Sequence, residues 1–233
     1  MKRLYWWRRL MEFLGPQYCV VCGERLGVQG QSLCTTCVMQ LPRTDFLLEP
    51  DENPMVQMLW KLTPIRRAVA FIHYEPRAES ARIVYYMKYK DRPDTAEDMG
   101  RLMARELLTT AFFDGIDVVV PVPLTRRRQW QRGYNQSEHL AVGIAEVTGL
   151  PVAAKALRRR QFRRSQTQLS RQERMDNVEG MFEVRDEAAV RGRHVLLVDD
   201  ICTTGATLTA CSAALSQVAG VTVSALTFGL TKD

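Results

Sequence analysis

The sequence has no long hydrophobic run. None of its apolar stretches approaches the roughly 20 residues that cross a bilayer, although 46% of the 233 residues are hydrophobic. The N-terminus begins with basic residues, but Trp6, Trp7, Arg8 and Arg9 interrupt any apolar core of a signal peptide. We therefore expect a cytoplasmic protein without a transmembrane segment.

Histidine is scarce, and the chain has no internal repeat or low-complexity tract. The three histidines, His73, His139 and His194, share no spacing typical of metal ligands, so we interpret each as structural. The chain has six cysteines, and in a reducing compartment closely spaced cysteines are more often metal ligands than disulfides.

The net charge of +6 is unevenly distributed. Positive residues are concentrated at the N-terminus, between Arg126 and Arg132, and between Lys155 and Asn177, which leaves the rest of the chain acidic. Such clustering favours specific anion sites, and phosphorylated small molecules, polyanions and acidic membrane surfaces are all compatible partners.

The most informative stretch is VLLVDDICTTGATLT. Its apolar run, Val195 to Val198, predicts a buried parallel strand that stops at Asp199 and Asp200, and the residues after Gly205 predict a helix. Amides at the start of that helix and nearby threonine hydroxyls can cradle a phosphate, while the acids suit sugar hydroxyls or a hydrated Mg²⁺. An ordinary buried strand before a capped helix is the plainer alternative, but it does not explain two adjacent acids before Thr-Thr-Gly.

The order of these residues resembles the phosphoribosyl diphosphate (PRPP) signature of type I phosphoribosyltransferases. The resemblance implies that Asp199 and Asp200 contact the ribose hydroxyls and that Mg²⁺ accompanies PRPP. It also implies that the 5-phosphate is held by the loop that follows, which comprises Thr203, Thr204, Gly205, Ala206 and Thr207.

Two CxxC pairs near the N-terminus predict a zinc ribbon. Cys19 and Cys22 form the first pair, Cys34 and Cys37 form the second, and a hairpin containing Gly27 separates them. Four thiolates fill a tetrahedral Zn²⁺ and leave no position for a catalytic water, so the zinc would be structural. A redox dithiol or a disulfide framework is the alternative.

We divide the chain into four parts. Residues 1–15 form an amphipathic arm, which either contacts a membrane or nucleic acid or docks on the zinc module or a second subunit. Residues 16–41 form the zinc ribbon, and the proline-marked segment 42–66 is expected to be a linker. From 67 to 233, strands alternate with helices, which predicts an α/β domain with a parallel sheet.

A basic loop follows the predicted strand Val118 to Val120. It reads PVPLTRRRQWQRGYNQSEHLA and leaves the carboxyl end of a strand, where open α/β sheets bind ligands. We assign Arg126 and Arg127, together with Lys88 upstream, to the phosphates of the ligand, and we expect Ser137 to cap the next helix. A solvated surface is the alternative for the arginine run.

The motifs PVPL, RGYNQ, QTQLS and MKYKD, behind a four-cysteine ribbon, together resemble the ComF/GntX family of competence and DNA-utilisation proteins. The resemblance extends from Cys19 to about Phe228. It implies a role in DNA uptake or DNA utilisation, with the DNA-uptake machinery as a possible partner.

The segment Arg158–Asn177 has few apolar residues and predicts a basic flap. By resemblance to phosphoribosyltransferases it would close over PRPP, with Arg164 assisting the displacement of diphosphate at the sugar C1 carbon. The same arginines, with Phe162, could instead bind single-stranded DNA.

Three functions remain open from the sequence. The first is a PRPP-binding, ComF-like protein that binds single-stranded DNA through basic loops. The second is an active phosphoribosyltransferase that transfers phosphoribose to a nitrogenous base or amine, and the third is a PRPP sensor without catalysis. The sequence leaves enzyme activity undecided. Cys202 and Cys211 are expected to be passive side chains.

Overall fold

A computed structural model describes residues 17–27, 31–160 and 180–231. None of the helices in these ranges is both long enough and apolar enough to cross a membrane. In chain order the elements are α1 (Thr35–Met39), a 3-10 turn (Asp45–Leu47), α2 (Pro54–Trp60), β1 (Ala68–Tyr74), α3 (Ala81–Tyr89), α4 (Pro93–Leu107), β2 (Val118–Pro121), α5 (Arg126–Arg132), α6 (Gln136–Thr148), β3 (Leu157–Arg159), β4 (Phe182–Val184), β5 (His194–Cys202), α7 (Ala206–Ser216) and β6 (Thr222–Thr231).

The main sheet has four parallel strands in the order β1-β6-β5-β2. A parallel bridge between Val119 and Val152 adds to the β2 edge. The central strands β5 and β6 are buried along most of their length, which means that both faces of the sheet are covered. The predicted α/β fold with a parallel sheet is therefore confirmed.

Strand β5 is longer than the sequence suggested. It does not stop at the two acids but continues to Cys202, because Asp199, Ile201 and Cys202 pair with Thr227, Gly229 and Leu230 of β6. The acids therefore lie within the last paired residues of β5. Because β6 holds this end of the strand, their positions are fixed more rigidly than those of loop residues.

Residues 42–66, which the sequence predicts to be a linker, are packed against the sheet. The Asn53 side chain accepts from the amides of Met55 and Val56 to cap α2, and its amide donates to Ala68 O at 2.9 Å. Met55, Val56 and Leu59 are fully buried. The prolines concealed a short helix whose apolar residues cover β1, so this segment belongs to the core.

Helices α4 and α6 pack unusually closely at two glycines. A Cβ on Gly143 would lie 2.0 Å from Glu97 O, and one on Gly100 would lie 2.2 Å from Leu140 O. Only glycine permits this approach. The contact fixes α6, whose first turn faces the end of β5.

The antiparallel hairpin of β3 and β4 flanks residues 161–179. The predicted flap residue Arg164 lies outside the described residues, as does the N-terminal arm over residues 1–15.

Candidate functional site

Asp200 is bound from three directions. Its Oδ2 accepts from Gln136 Nε2 at 2.6 Å and lies 3.0 Å from Lys88 Nζ, while its Oδ1 accepts from the Ile201 amide at 2.6 Å. The side chain is almost fully buried. These contacts compensate the negative charge and join β5 to α3 and α6, so the predicted ligand residues Lys88 and Asp200 do come together.

Asp199 keeps one oxygen open. Its Oδ1 accepts from Ser137 Oγ and from the Asp200 amide, both at 2.9 Å, whereas its Oδ2 receives no hydrogen bond from the described residues. Burial of the carboxyl and the adjacent Asp200 charge raise the pKa of Asp199 to about 7, although Ser137 and Lys88 act in the opposite direction. An acceptor of this kind suits a hydroxyl donor or a water bound to a cation.

The start of α6 is built by Asn135, and the predicted cap at Ser137 is wrong. Asn135 Oδ1 accepts from the Ser137 amide at 3.2 Å, and its amide nitrogen donates to Val122 O at 3.0 Å. Because Asn135 provides the cap, the Ser137 hydroxyl and the Gln136 amide are available to the two acids. The sequence signalled polar residues here but not which of them would reach β5.

The predicted phosphate loop lies directly after β5. Thr203 and Thr204 are exposed, and Gly205 has φ +75°, a left-handed conformation that precedes α7. No side chain caps the first amides of α7, which begins at Ala206. The loop can therefore present backbone N–H groups and threonine hydroxyls to an anion.

Helix α2 forms one wall of this loop. A Cβ on Gly205 would lie 2.8 Å from Leu59 Cδ2 and 3.3 Å from Met58 Cε. Further along, Thr63 Oγ1 donates to Ser212 Oγ of α7 at 3.1 Å. The segment predicted to be a linker thus packs against the phosphate loop and against α7, and it stabilises both.

The predicted arginine loop folds as helix α5. Thr125 caps it, and Gly133, at φ +80°, ends it. Arg126 and Arg127 are exposed. Arg128 and Arg132 instead line a cleft of about 760 Å³ together with Lys88. The cleft beside Lys88 is therefore lined by two other arginines of the same run, and Arg126 and Arg127 do not line it.

Tyr134 connects this basic helix to α3. Its hydroxyl donates to Met87 O at 2.7 Å, directly before Lys88, and its ring packs edge-on against His139. His139 Nδ1 in turn lies 2.8 Å from Glu97 Oε1. Within the motif RGYNQ, Tyr134 thus fixes the backbone next to Lys88, and Gln136 binds Asp200. Sequence reasoning missed this role.

The three arginines Arg158, Arg159 and Arg160 have different environments. Arg158 and Arg160 form ion pairs with Glu183 across the hairpin. Arg159 projects to the other face, over the Phe182 ring at 5.3 Å. Burial lowers the pKa of Arg159, as does the charge of Arg128, while Asp199 and Cys211 partly offset the shift. Arg159 therefore lies within electrostatic range of Asp199.

The four predicted zinc ligands come together. The Sγ atoms of Cys19, Cys22, Cys34 and Cys37 all lie within 4.8 Å of one another, close to the roughly 3.8 Å expected around a tetrahedral Zn²⁺ with bonds of about 2.3 Å. Burial opposes ionisation of the Cys19 thiol, but amides of Cys22, Cys34 and Val21 lower its pKa to about 7. This cluster fits a structural zinc ion.

Cys202 and Cys211 are buried and lie apart from that cluster. Burial and the neighbouring Asp199 raise the pKa of Cys202 to about 12, and the same causes raise that of Cys211. Both thiols therefore remain protonated at neutral pH, in agreement with a passive role.

Comparison with known proteins places the chain in a family. The profile of the phosphoribosyl transferase domain matches residues 86–227. DNA utilization protein YhgH of Escherichia coli (strain K12) is 30% identical over 204 residues, covering 83% of this chain and 88% of its own. Competence protein F of Haemophilus influenzae is 26% identical over 202 residues, covering 86% and 79%. A solved structure of glutamine PRPP amidotransferase from B. subtilis aligns with 61% of this chain and 30% of its own, at 25% identity and a TM-score of 0.43. The chain thus belongs to the ComF family and contains a phosphoribosyl transferase domain.

Proposed function

We propose that this chain binds PRPP with Mg²⁺ and acts in the cytoplasm in DNA uptake or DNA utilisation. The observation that carries the PRPP assignment is the order of the chain at this point. Asp199 and Asp200 lie near the carboxyl end of β5, and the loop that follows, with Gly205 in a left-handed conformation, leads to the uncapped start of α7. Acids for a vicinal diol and amides for a phosphate then lie in the order that ribose 5-phosphate requires.

We assign different residues to the different groups of PRPP. Thr203 and Thr204 would hold the 5-phosphate together with the α7 amides, and Asp199 Oδ2 would accept from a ribose hydroxyl. Asp199 is also the residue suited to contact Mg²⁺ through its bound waters. Lys88 and Arg128 would neutralise the diphosphate, because both line the cleft beside the acids.

The experiment is a thermal melt with and without PRPP and Mg²⁺. Ligand that binds only the folded state raises the melting temperature, so we expect a shift in the wild type and none in Asp199→Asn/Asp200→Asn. Ribose 5-phosphate without Mg²⁺ serves as the weaker ligand. A double variant that responds like the wild type would contradict the assignment of the acids.

The DNA part of the proposal is supported by the names of the relatives and by the clustered basic charge. We expect single-stranded DNA to bind with an affinity that falls steeply with salt, since phosphate neutralisation releases counterions. Absence of binding at low salt would remove this part and leave the PRPP assignment intact.

A transferase reaction is the second candidate, favoured by the same acid pair. Diphosphate released from PRPP in the presence of nitrogenous bases or amines, and not in their absence, would establish it. Binding of PRPP without diphosphate release would instead favour a sensor.

A further inference from the structure

Helices α3 and α5 expose an unusual set of aromatic rings. Trp130 is 86% exposed, Tyr89 is 64% exposed and Tyr85 is 48% exposed. Tyr85 and Tyr89 are four residues apart on α3, with ring centroids 5.6 Å from each other. Tyr89 and Trp130 line the same cleft. We call these three residues the aromatic ridge.

Cations accompany each part of the ridge. The Arg132 guanidinium lies over the Tyr89 ring at 5.5 Å, and Lys90 Nζ lies over the Tyr85 ring at 5.4 Å. Lys88 and Arg128 line the cleft with Trp130. Asp91 is the one acid among the residues that line this cleft. The surface therefore combines flat apolar faces with a clear excess of positive charge.

This combination selects a partner with two properties. Exposed rings require flat apolar groups to cover them, and the cations require regularly spaced negative charges. A protein surface that covered the rings would have to desolvate these cations and pair each one. Single-stranded nucleic acid supplies both properties, because its unpaired bases stack and its phosphates neutralise, whereas the bases of a duplex are already stacked on each other.

The ridge is continuous with the site already described. Lys88 lines the cleft on one side and contacts Asp200 on the other. Tyr134, whose hydroxyl donates to Met87 O, fixes α5 against the end of α3 and so sets the width of the cleft. A strand lying on the ridge would therefore lie beside Lys88 and Arg128, the two residues of this cleft that are assigned to the diphosphate.

We propose that the aromatic ridge is the surface that binds single-stranded DNA, with Tyr85, Tyr89 and Trp130 stacking on bases and Lys90 and Arg132 contacting phosphates. This inference rests on the DNA-binding part of the proposed function and names the residues that carry it. The ridge lies on α3 and α5 and includes no residue of the segment Arg158–Asn177, to which the sequence first pointed.

The test measures the anisotropy of a labelled oligothymidylate at increasing salt with the full chain. We expect Trp130→Ala and Tyr89→Ala each to weaken binding by roughly 5- to 100-fold, which corresponds to the loss of one stacked base. Arg132→Gln should lower the slope of log affinity against log salt by about one. Trp60→Ala is the matched control, since Trp60 is 53% exposed, belongs to α2 and does not line the cleft.

The outcomes separate this inference from the rest. If both Trp130→Ala and Tyr89→Ala bound the oligothymidylate with wild-type affinity, the proposed role of the ridge would be overturned. The same would follow if duplex DNA competed as well as single-stranded DNA. Loss of a dimer in Trp130→Ala, seen by sedimentation without any change in DNA affinity, would overturn it in favour of a protein contact. The PRPP-induced shift should persist in the ridge variants, and its absence from the wild type would contradict the proposed pocket alone.

Discussion

Lys88 Nζ and Asp200 Oδ2 lie 3.0 Å apart and join the end of α3 to the carboxyl end of β5. The lysine side chain is partly exposed while the carboxylate is almost fully buried. The pair therefore serves two purposes: it compensates a charge that burial would otherwise penalise, and it holds an ammonium group at the edge of the proposed diphosphate site.

Replacing Lys88 by Met should affect both stability and ligand binding. The Asp200 carboxylate would keep its hydrogen bonds from Gln136 and the Ile201 amide but lose its cation, so we expect the free energy of unfolding to fall by about 2 kcal/mol. The PRPP-induced rise in melting temperature should shrink strongly. Lys61→Met, on an exposed lysine at the end of α2, is the control. If Lys88→Met were as stable as Lys61→Met and its melting temperature rose as much with PRPP, both proposed roles of Lys88 would be contradicted.

The raised pKa of Asp199 predicts a specific pH dependence. Because this carboxyl has a pKa of about 7 in the folded chain and about 4 when unfolded, the folded state holds a proton that the unfolded state releases. Its contribution to stability is therefore largest at low pH and is lost as the pH rises from about 4 to about 7. Urea unfolding should show the wild type losing about 2 kcal/mol relative to Asp199→Asn between about pH 5 and pH 8.

The opposite trend should appear in ligand binding. The ionised carboxylate accepts from ribose hydroxyls, so the PRPP-induced shift of the wild type should grow as the pH rises through about 7. Parallel pH profiles for the wild type and Asp199→Asn would count against the raised pKa.

The sequence predicted those features whose signal lies in a short stretch. The predicted strand Val118 to Val120 lies within β2, and the two CxxC pairs came together as four neighbouring thiols. The acids of β5 were recognised as a pair. In each case the residue types and their spacing alone restrict the structure.

The features that were missed depend on tertiary contacts. Strand β5 passes through the acids because β6 offers a partner as far as Leu230. Helix α2 was hidden by prolines, since Pro54 in fact begins it and Asn53 caps it. The partners of the acids, Gln136 and Ser137, lie more than 60 residues away in the chain, a separation that local patterns do not bridge.

The close approach at Gly143 should be essential to the site as well as to the fold. Gly143→Ala would place a Cβ 2.0 Å from Glu97 O and push α6 away from α4. We expect a loss of about 3 kcal/mol in unfolding free energy and a weaker PRPP response, because Gln136 and Ser137 begin the same helix. Gly27→Ala is the control, since nothing lies within 4 Å of its added Cβ.

Removal of the metal should unfold the ribbon locally. Protein purified without chelator should contain about one zinc per chain, and Cys34→Ser should lose it together with several degrees of melting temperature. Cys202→Ala, a buried cysteine outside the cluster, should retain its zinc. Less than half an equivalent of zinc in wild-type protein with reduced thiols would contradict the structural site.

Arg159 is expected to differ from its two neighbours. Arg158 and Arg160 share Glu183, whereas no carboxylate in the described part of the chain lies within ion-pair distance of Arg159. Burial and the nearby Arg128 lower the pKa of Arg159. The positive charge of Arg159 is therefore energetically unfavourable in the protein without ligand. An anionic ligand between Arg159 and Arg128 would neutralise both charges and so remove this unfavourable electrostatic energy.

Arg159→Gln should therefore have opposite effects on stability and on binding. The free protein should be as stable as the wild type or slightly more so, because an uncompensated half-buried charge is lost. The affinity for PRPP should fall by about tenfold, the loss expected for one charge-assisted hydrogen bond. Arg158→Gln, which removes an exposed ion pair, should change neither quantity by much. If Arg159→Gln destabilised the free protein and left PRPP affinity unchanged, then Arg159 would support the hairpin through Phe182 and would not belong to the anion site.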